Sequence, residues 1–126
     1  MEITPVEPGQ RLVVEGYGAG CFKVAGGEVV GSMLIQAGRF DPWTAASPAE
    51  IEAASGPLLD LAGSVDVLLI GTGARLEMLG RDLRRRLREA GLASEVMSTP
   101  AACRTYNVLV GDDRRVAAAL VAMPPA

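Results

Sequence analysis

The feature that most constrains the fold is a run of mostly branched apolar residues at positions 65–70, which reads Val-Asp-Val-Leu-Leu-Ile. A strand that is buried on both faces of a sheet has this composition, because neither face meets water. The run ends in Gly71, Thr72 and Gly73, and such residues are typical of a tight turn after a strand. We therefore predict an α/β fold built around this strand.

The residues after this turn predict a β-α-β unit. Apolar side chains recur at helical spacing between residues 82 and 90, and Gly91 is a typical helix end. Residues 93–98 then predict a second, parallel strand, reached by a connection of the length that is usually right-handed. The arginine run at residues 84–86 is interpreted as a solvated helix face rather than a docking patch for an acidic partner, since charges opposite an apolar stripe are ordinary.

The first third of the chain has a different pattern. Apolar segments broken by glycine between residues 11 and 36 predict a β-meander. Gly26 and Gly27 predict its two-residue hairpin turn, because glycine readily adopts positive φ angles. Trp43 follows a proline and is expected to anchor the core. The sequence Ser-Pro-Ala-Glu at residues 47–50 is a capping-box pattern and predicts that a helix begins there.

The last third of the chain predicts a helix and a further strand. Thr99 and Pro100 open the helix, and Gly111 ends it. Residues 116–122 are rich in alanine, which by propensity favours a helix. We favour a strand, because the run is short, two prolines follow it, and small side chains let helices approach a central strand closely.

Composition limits the classes of partner. The 126 residues suit one domain, spanning residues 1–126, and the net charge of −3 provides no field that attracts nucleic acid. Residues 1–5 lack the pattern of a leader peptide, and no apolar run has the length needed to cross a bilayer. The sequence therefore predicts a cytoplasmic protein without nucleic-acid binding or membrane insertion. Its arginine-rich, lysine-poor composition is typical of a bacterial protein.

The chain contains no histidine, which excludes Ser-His-Asp and Cys-His catalysis as well as histidine-ligated metals. Cys21 and Cys103 lie far apart and are expected to be reduced, and two cysteines do not suffice for a structural zinc site. A Schiff-base mechanism would rest on Lys23 alone. We predict no catalytic residues, no metal site and no cofactor.

The candidate binding surface centres on residues 99–107. Thr99 is predicted to cap a helix whose free N–H groups point toward the sheet edge where the Gly71 turn lies, and such a place favours an anion. Three polar residues further along this helix share one side of it, and Arg75 is expected to approach from the facing loop. The candidate ligand- or partner-binding residues are Gly71, Thr72, Gly73, Arg75, Thr99, Cys103, Arg104 and Asn107.

Cys103 has three interpretations. It is a packing residue, a reactive thiol whose pKa is lowered by Arg104 and the helix start, or part of a binding surface. We favour packing, since small buried cysteines are common and reactivity requires an exposed thiolate. A redox pair with Cys21 would require Cα atoms within about 7 Å of each other.

The most distinctive segments are residues 67–73, 95–109 and 115–120, and the early glycines at 16, 18 and 20 together with Trp43 fit the same pattern. Together these segments resemble the Mth-type domain of unknown function over nearly the whole chain. The resemblance implies a three-layer fold, in which a mixed central sheet is flanked by helices and an additional antiparallel β layer comes from the N-terminal half. It implies no established catalytic residues.

Eukaryotic relatives in this family include a mitochondrial assembly factor of NADH:ubiquinone oxidoreductase and an adipogenesis-associated protein. We therefore predict a non-enzymatic interaction or assembly domain with a protein partner, related to the assembly of a respiratory complex. The alternative is a domain that binds a small anionic metabolite, or a thiol-dependent enzyme, with its site between Gly71-Thr72-Gly73 and the start of the Thr99 helix.

Overall fold

Two β-sheets and three helices organise residues 11–124, the part of the chain that the structure, a computed structural model, describes. The first sheet is antiparallel and contains β1 (Gly16–Gly18), β2 (Cys21–Val24) and β3 (Gly27–Val30). The second contains β4 (Met33–Gln36), β5 (Phe40–Pro42), β6 (Val67–Gly71), β7 (Ser94–Met97) and β8 (Val116–Leu120). The helices are α1 (Gly56–Leu59), α2 (Arg81–Glu89) and α3 (Thr99–Gly111), and a 3-10 turn forms at Pro48–Glu50.

Within residues 11–124, no helix combines the length and the apolar character that crossing a bilayer requires. The prediction that the chain starts without a leader concerns residues 1–5 and lies outside the described residues.

The five-stranded sheet is mixed and has the spatial order β5-β4-β8-β6-β7. Strand β6 runs parallel to both β7 and β8, whereas β4 is antiparallel to β5 and β8. The strands predicted at residues 65–70, 93–98 and 116–122 are therefore confirmed. The predicted α/β class is confirmed as well, with a mixed central sheet, flanking helices and a separate N-terminal antiparallel sheet.

Strand β8 shows why an alanine-rich run forms a strand here. All of its residues are buried, because an apolar core covers each face of the central sheet. Ala118 packs in the core that contains Tyr106 of α3, and Ala117 and Ala119 pack in the core that contains Leu83 of α2. Small side chains at the centre of the sheet leave room for both helices, so tertiary packing outweighs the helix propensity of alanine.

The hairpin turn between β2 and β3 lies one residue earlier than predicted. Val24 pairs with Gly27, so the turn residues are Ala25 and Gly26, with φ angles of +53° and +80°. A type I′ turn needs positive φ at both positions, and alanine adopts it here although glycine would do so more easily. Moving the turn to the two glycines would place Phe22 opposite Gly31 instead of Val29, although Phe22 and Val29 pack in the same core.

The predicted meander over residues 11–36 is only partly correct. Strand β4 leaves the first sheet and pairs with β5 and β8, because Met33 and Ile35 are fully buried and require the central sheet around them. Residues 12–14, which the apolar pattern placed in a strand, form none.

Residues 47–50 form a single 3-10 turn instead of beginning a longer helix. The Ser47 side chain makes no capping hydrogen bond, whereas Glu50 Oε1 accepts from the N–H of Ala46 at 3.0 Å. Trp43 is buried as predicted, and its Nε1–H donates to the carbonyl oxygen of Ala54 at 2.9 Å. The chain therefore wraps around the indole ring in short turns.

Thr99 joins the ends of β6, β8 and α3 at one buried point, which we call the Thr99 junction. Its hydroxyl donates to the carbonyl oxygen of Val121 at 2.7 Å and accepts from the N–H of Gly73 at 2.8 Å. Its own N–H donates to the carbonyl oxygen of Gly73 at 2.8 Å. A Cβ at Gly71 would lie 2.9 Å from Thr99 Cα and Oγ1, so this crossing requires glycine.

Replacing Thr99 with valine is expected to destabilise the fold by about 3 kcal/mol, because the buried N–H of Gly73 and C=O of Val121 both lose their partner. Thr99→Ser keeps the hydroxyl and is expected to cost only about 1 kcal/mol for the lost methyl group. Urea unfolding measures both variants. Equal losses in the two variants would show that the hydroxyl is not what holds the junction.

Replacing Gly71 with alanine is expected to cost roughly 2 kcal/mol or more, because the added methyl group meets the backbone of Thr99. Gly111→Ala is the matched control, since space around Gly111 is open and alanine is the better residue at a helical position. That variant is expected to gain about 0.5–1 kcal/mol. Thermal and urea unfolding compare the two. A neutral Gly71→Ala variant would contradict the close approach.

Candidate functional site

The carboxyl ends of β6, β7 and β8 meet at one edge of the central sheet, and the Gly71-Thr72-Gly73 turn begins there. Thr72 is buried, and its hydroxyl fixes the following loop in two places. It donates to the carbonyl oxygen of Arg75 at 2.6 Å and accepts from the N–H of Glu77 at 3.0 Å. The turn is therefore built by hydrogen bonds within the chain.

A cleft of about 490 Å³ opens beside this turn. Thr72, Gly73 and Arg75 line it, together with the segment around Ser47 and the residues that follow β8. Arg75 is exposed at the cleft, where Glu77 supplies a carboxylate of opposite charge. Three of the predicted site residues are thus brought together around one open space.

The start of α3 differs from the prediction in how it is capped. Ser98, not Thr99, is the N-cap, and its hydroxyl accepts from the N–H of Ala101 at 3.3 Å. Thr99 is the first helical residue because its side chain is already engaged at the junction. Thr99 N–H donates to Gly73, Pro100 has no N–H, and Ala102 N–H donates to the carbonyl oxygen of Ser98. The amides that an anion would use are therefore occupied, and the geometry does not favour the predicted anion site.

Asn107 binds the chain's own backbone on the other side of α3. Its Oδ1 accepts from the N–H of Val14 and its Nδ2 donates to the carbonyl oxygen of Val14, both at 2.9 Å. The side-chain amide of Asn107 thus supplies Val14 with the two backbone hydrogen bonds that a neighbouring strand would otherwise provide. Tyr106 acts alongside it, since its hydroxyl donates to the carbonyl oxygen of Leu12 at 2.9 Å.

The sequence analysis did not identify Tyr106 as a polar contact. The signal available was the neighbouring Asn107, because asparagine is unfavourable inside a helix unless its side chain has a local or tertiary partner. Tyr106 and Asn107 hold residues 12–14 in place although these residues form no strand.

Cys103 lies in the core between α3 and the central sheet, with 2% of its surface exposed. Burial raises the pKa of its thiol to about 12, and the nearby charge of Arg104 offsets this only in part. Cys21 is half-buried in β2, and both thiols are free. The position of Cys103 supports the packing interpretation. Arg104 is exposed on α3. Of the predicted residues on this helix, only Thr99 contacts the Gly71-Thr72-Gly73 turn, whereas Cys103 lies in the core and Asn107 bonds to Val14.

Cys103 is expected to resist alkylation in the folded protein, because burial both covers the sulfur and keeps it protonated at neutral pH. In Cys21→Ser, iodoacetamide at neutral pH should modify Cys103 only in urea, as followed by mass spectrometry. In Cys103→Ala, the remaining Cys21 serves as the accessible control. Because the pKa of Cys103 is higher in the folded protein than in the unfolded chain, ionisation of this thiol favours unfolding. The free energy of unfolding is therefore expected to fall as the pH rises toward 12. Rapid labelling of folded Cys103 would contradict its burial.

Comparison with known proteins agrees with this architecture. An uncharacterized protein of Rhodobacter capsulatus is 43% identical, aligned over 98% of this chain and 97% of its own length. NADH dehydrogenase (ubiquinone) 1 alpha subcomplex assembly factor 3 of Danio rerio is 34% identical, over 98% of this chain and 72% of that protein. The solution structure of a Mth938-like domain from Bordetella pertussis has 27% identity and a TM-score of 0.79, covering 100% of this chain and 95% of that one.

Residues 14–121 match the family described as protein of unknown function (DUF498/DUF598). This range includes both sheets, the Thr99 junction and the Asn107 contact. The chain is therefore a member of the DUF498/DUF598 family of Mth-type domains.

Proposed function

We propose that this chain is a non-enzymatic interaction domain that takes part in the assembly of a respiratory complex of the NADH:ubiquinone oxidoreductase type. The observation that carries the proposal is the similarity to the Danio rerio assembly factor, which extends over 98% of this chain. The shared region thus covers the domain as a whole, so the role is expected to reside in its surface as well as in its fold.

The loop between β6 and α2 supports a role in binding a protein. Leu76 and Met78 expose 56% and 68% of their surfaces, which is unusual for large apolar side chains so close together in a loop. The hydrogen bonds of Thr72 hold this loop in a defined shape. A preformed loop that presents apolar side chains loses little entropy when a partner covers it.

The use of polar groups in residues 99–107 supports a non-enzymatic role. Thr99, Tyr106 and Asn107 bond to backbone groups of the chain itself, and Cys103 is packed in the core. Groups engaged in this way stabilise the fold and are not presented to a substrate. The candidate residues that remain open to a partner are Arg75 and Arg104, both of which are exposed.

Deleting the gene in its native cell is expected to lower the amount of assembled NADH:ubiquinone oxidoreductase, measured by native gel electrophoresis and by NADH:quinone activity of membranes. Chemical crosslinking of the tagged protein should recover subunits of that complex. Normal assembly after deletion, together with no recovered subunit, would contradict the proposal.

In the same experiment Leu76→Asp is expected to lower the recovery of those subunits about tenfold, which is the loss expected when one large apolar contact is removed. Val30→Asp is the matched control, since Val30 is even more open to solvent than Leu76 but lies on the three-stranded sheet. Circular dichroism verifies that both variants fold. Equal recovery with the two variants would show that the loop is not the contact.

A further inference from the structure

Strand β7 forms one edge of the central sheet, and no strand within residues 11–124 pairs with its outer side. On its inner side, Leu68 N–H donates to the carbonyl oxygen of Ala93, and Thr72 N–H to that of Met97. Successive residues of a strand direct their N–H and C=O groups to opposite sides, so those of Ser94 and Val96 face outward. An open edge of this kind can receive another strand by backbone hydrogen bonding.

A groove of about 480 Å³ lies between this edge and α2, and we call it the β7 groove. Ser94 and Val96 line it from β7, and Arg84 and Arg88 line it from α2. Apolar surface comes from Leu79, Leu92 and the exposed Met78. The groove thus joins an open strand edge to apolar contacts and positive charge.

The arginines of α2 fall into two sets. Arg85 forms ion pairs with Asp82 and Glu89, and Arg86 lies 3.8 Å from Asp82. Arg81, Arg84 and Arg88 have no carboxylate within ion-pair distance in the described part of the chain. The sequence interpretation of one solvated arginine face therefore needs refinement, because two of the three unpaired arginines, Arg84 and Arg88, line the β7 groove.

We propose that the β7 groove docks an acidic, extended segment of a partner protein, which adds as a strand to the outer edge of β7. This inference rests on the proposed function and specifies the class of partner and the surface. Arg84 and Arg88 are one helical turn apart, about 6 Å along the axis. Every second residue of an extended strand is spaced by about 6.5 Å, so acidic residues at alternate positions match the two arginines.

Two other occupants fit less well. A second copy of this chain, paired edge to edge, would bring the unpaired Arg84 and Arg88 of both copies together, and like charges would oppose that pairing. Nucleic acid offers phosphates to the arginines but no backbone that can continue the sheet, and the net charge of −3 opposes its approach.

The test is the binding of a labelled eight-residue peptide that alternates valine and glutamate, measured by fluorescence anisotropy against the full chain. It is expected to bind at least tenfold more tightly than a peptide that alternates valine and lysine. Arg84→Glu/Arg88→Glu should lower its affinity at least tenfold. Arg39→Glu/Arg114→Glu changes the net charge equally at distant positions and should leave the affinity within about twofold, less than 0.5 kcal/mol.

Strand addition has its own readout, which a purely electrostatic contact would not affect. Peptides N-methylated on one or the other set of alternate amides carry the same charge but differ in which edge can donate hydrogen bonds. One set should lose binding and the other should keep it. Shifts of the Ser94 and Val96 amide signals on titration with the unmodified peptide locate the contact.

Three results would overturn the proposal. These are equal binding of both N-methylated peptides, no binding at about 1 mM peptide, or a dimer of this chain that Arg84→Glu/Arg88→Glu leaves unchanged and that blocks the peptide. If crosslinking in the native cell still recovers oxidoreductase subunits while the peptide does not bind, the proposed function stands and the docking surface is wrong. If the peptide binds but deletion leaves assembly normal and crosslinking recovers no subunit, the surface stands and the proposed function is wrong.

Discussion

The Thr99 hydroxyl makes the contact on which the arrangement of the central sheet and α3 depends. It connects the backbone just beyond β6 to the backbone just beyond β8, and the first residue of α3 carries it. Gly71 permits this crossing because any side chain there would meet Thr99. Two adjacent strand ends and the start of a helix are thereby fixed at one point that is shielded from water, where each hydrogen bond is stronger than it would be at the surface.

The position of α3 in turn determines the N-terminal part of the structure. Tyr106 and Asn107 extend from this helix to Leu12 and Val14, and Phe22 of the three-stranded sheet packs in the same core. The opposite face of the sheet is covered by α2, whose outer side carries the arginines. On the α3 side, the polar side chains of Thr99, Tyr106 and Asn107 are occupied by internal contacts, whereas the α2 side presents a groove beside the open edge of β7 and an exposed apolar loop. This asymmetry is why a binding role is assigned to the α2 side.

The fold could be predicted to a large extent from the sequence, and the candidate site to a small extent. Apolar periodicity identified β6, α2 and β7, because a buried strand or helix face requires apolar residues at a characteristic spacing in the sequence. The Gly26-Gly27 turn and the helix at Ser47 were placed incorrectly. The turn position depends on the pairing of Phe22 with Val29, and the short turns after residue 47 depend on the burial of Trp43. Local turn propensities carry no information about such partners.

The sequence by itself determined the α/β class, the strands β6 and β7 with the helix between them, and the exclusion of histidine chemistry. Only the tertiary structure decided how the polar residues at positions 99–107 are used, since Thr99 and Asn107 bond to residues that are distant in sequence. It also decided that, within residues 11–124, Asp82 pairs with Arg85 and Arg86, whereas Arg84 and Arg88 line the groove without a carboxylate partner. The pattern of apolar residues in the sequence predicts which side chains are buried. The pairing of polar groups depends instead on which segments the fold brings together.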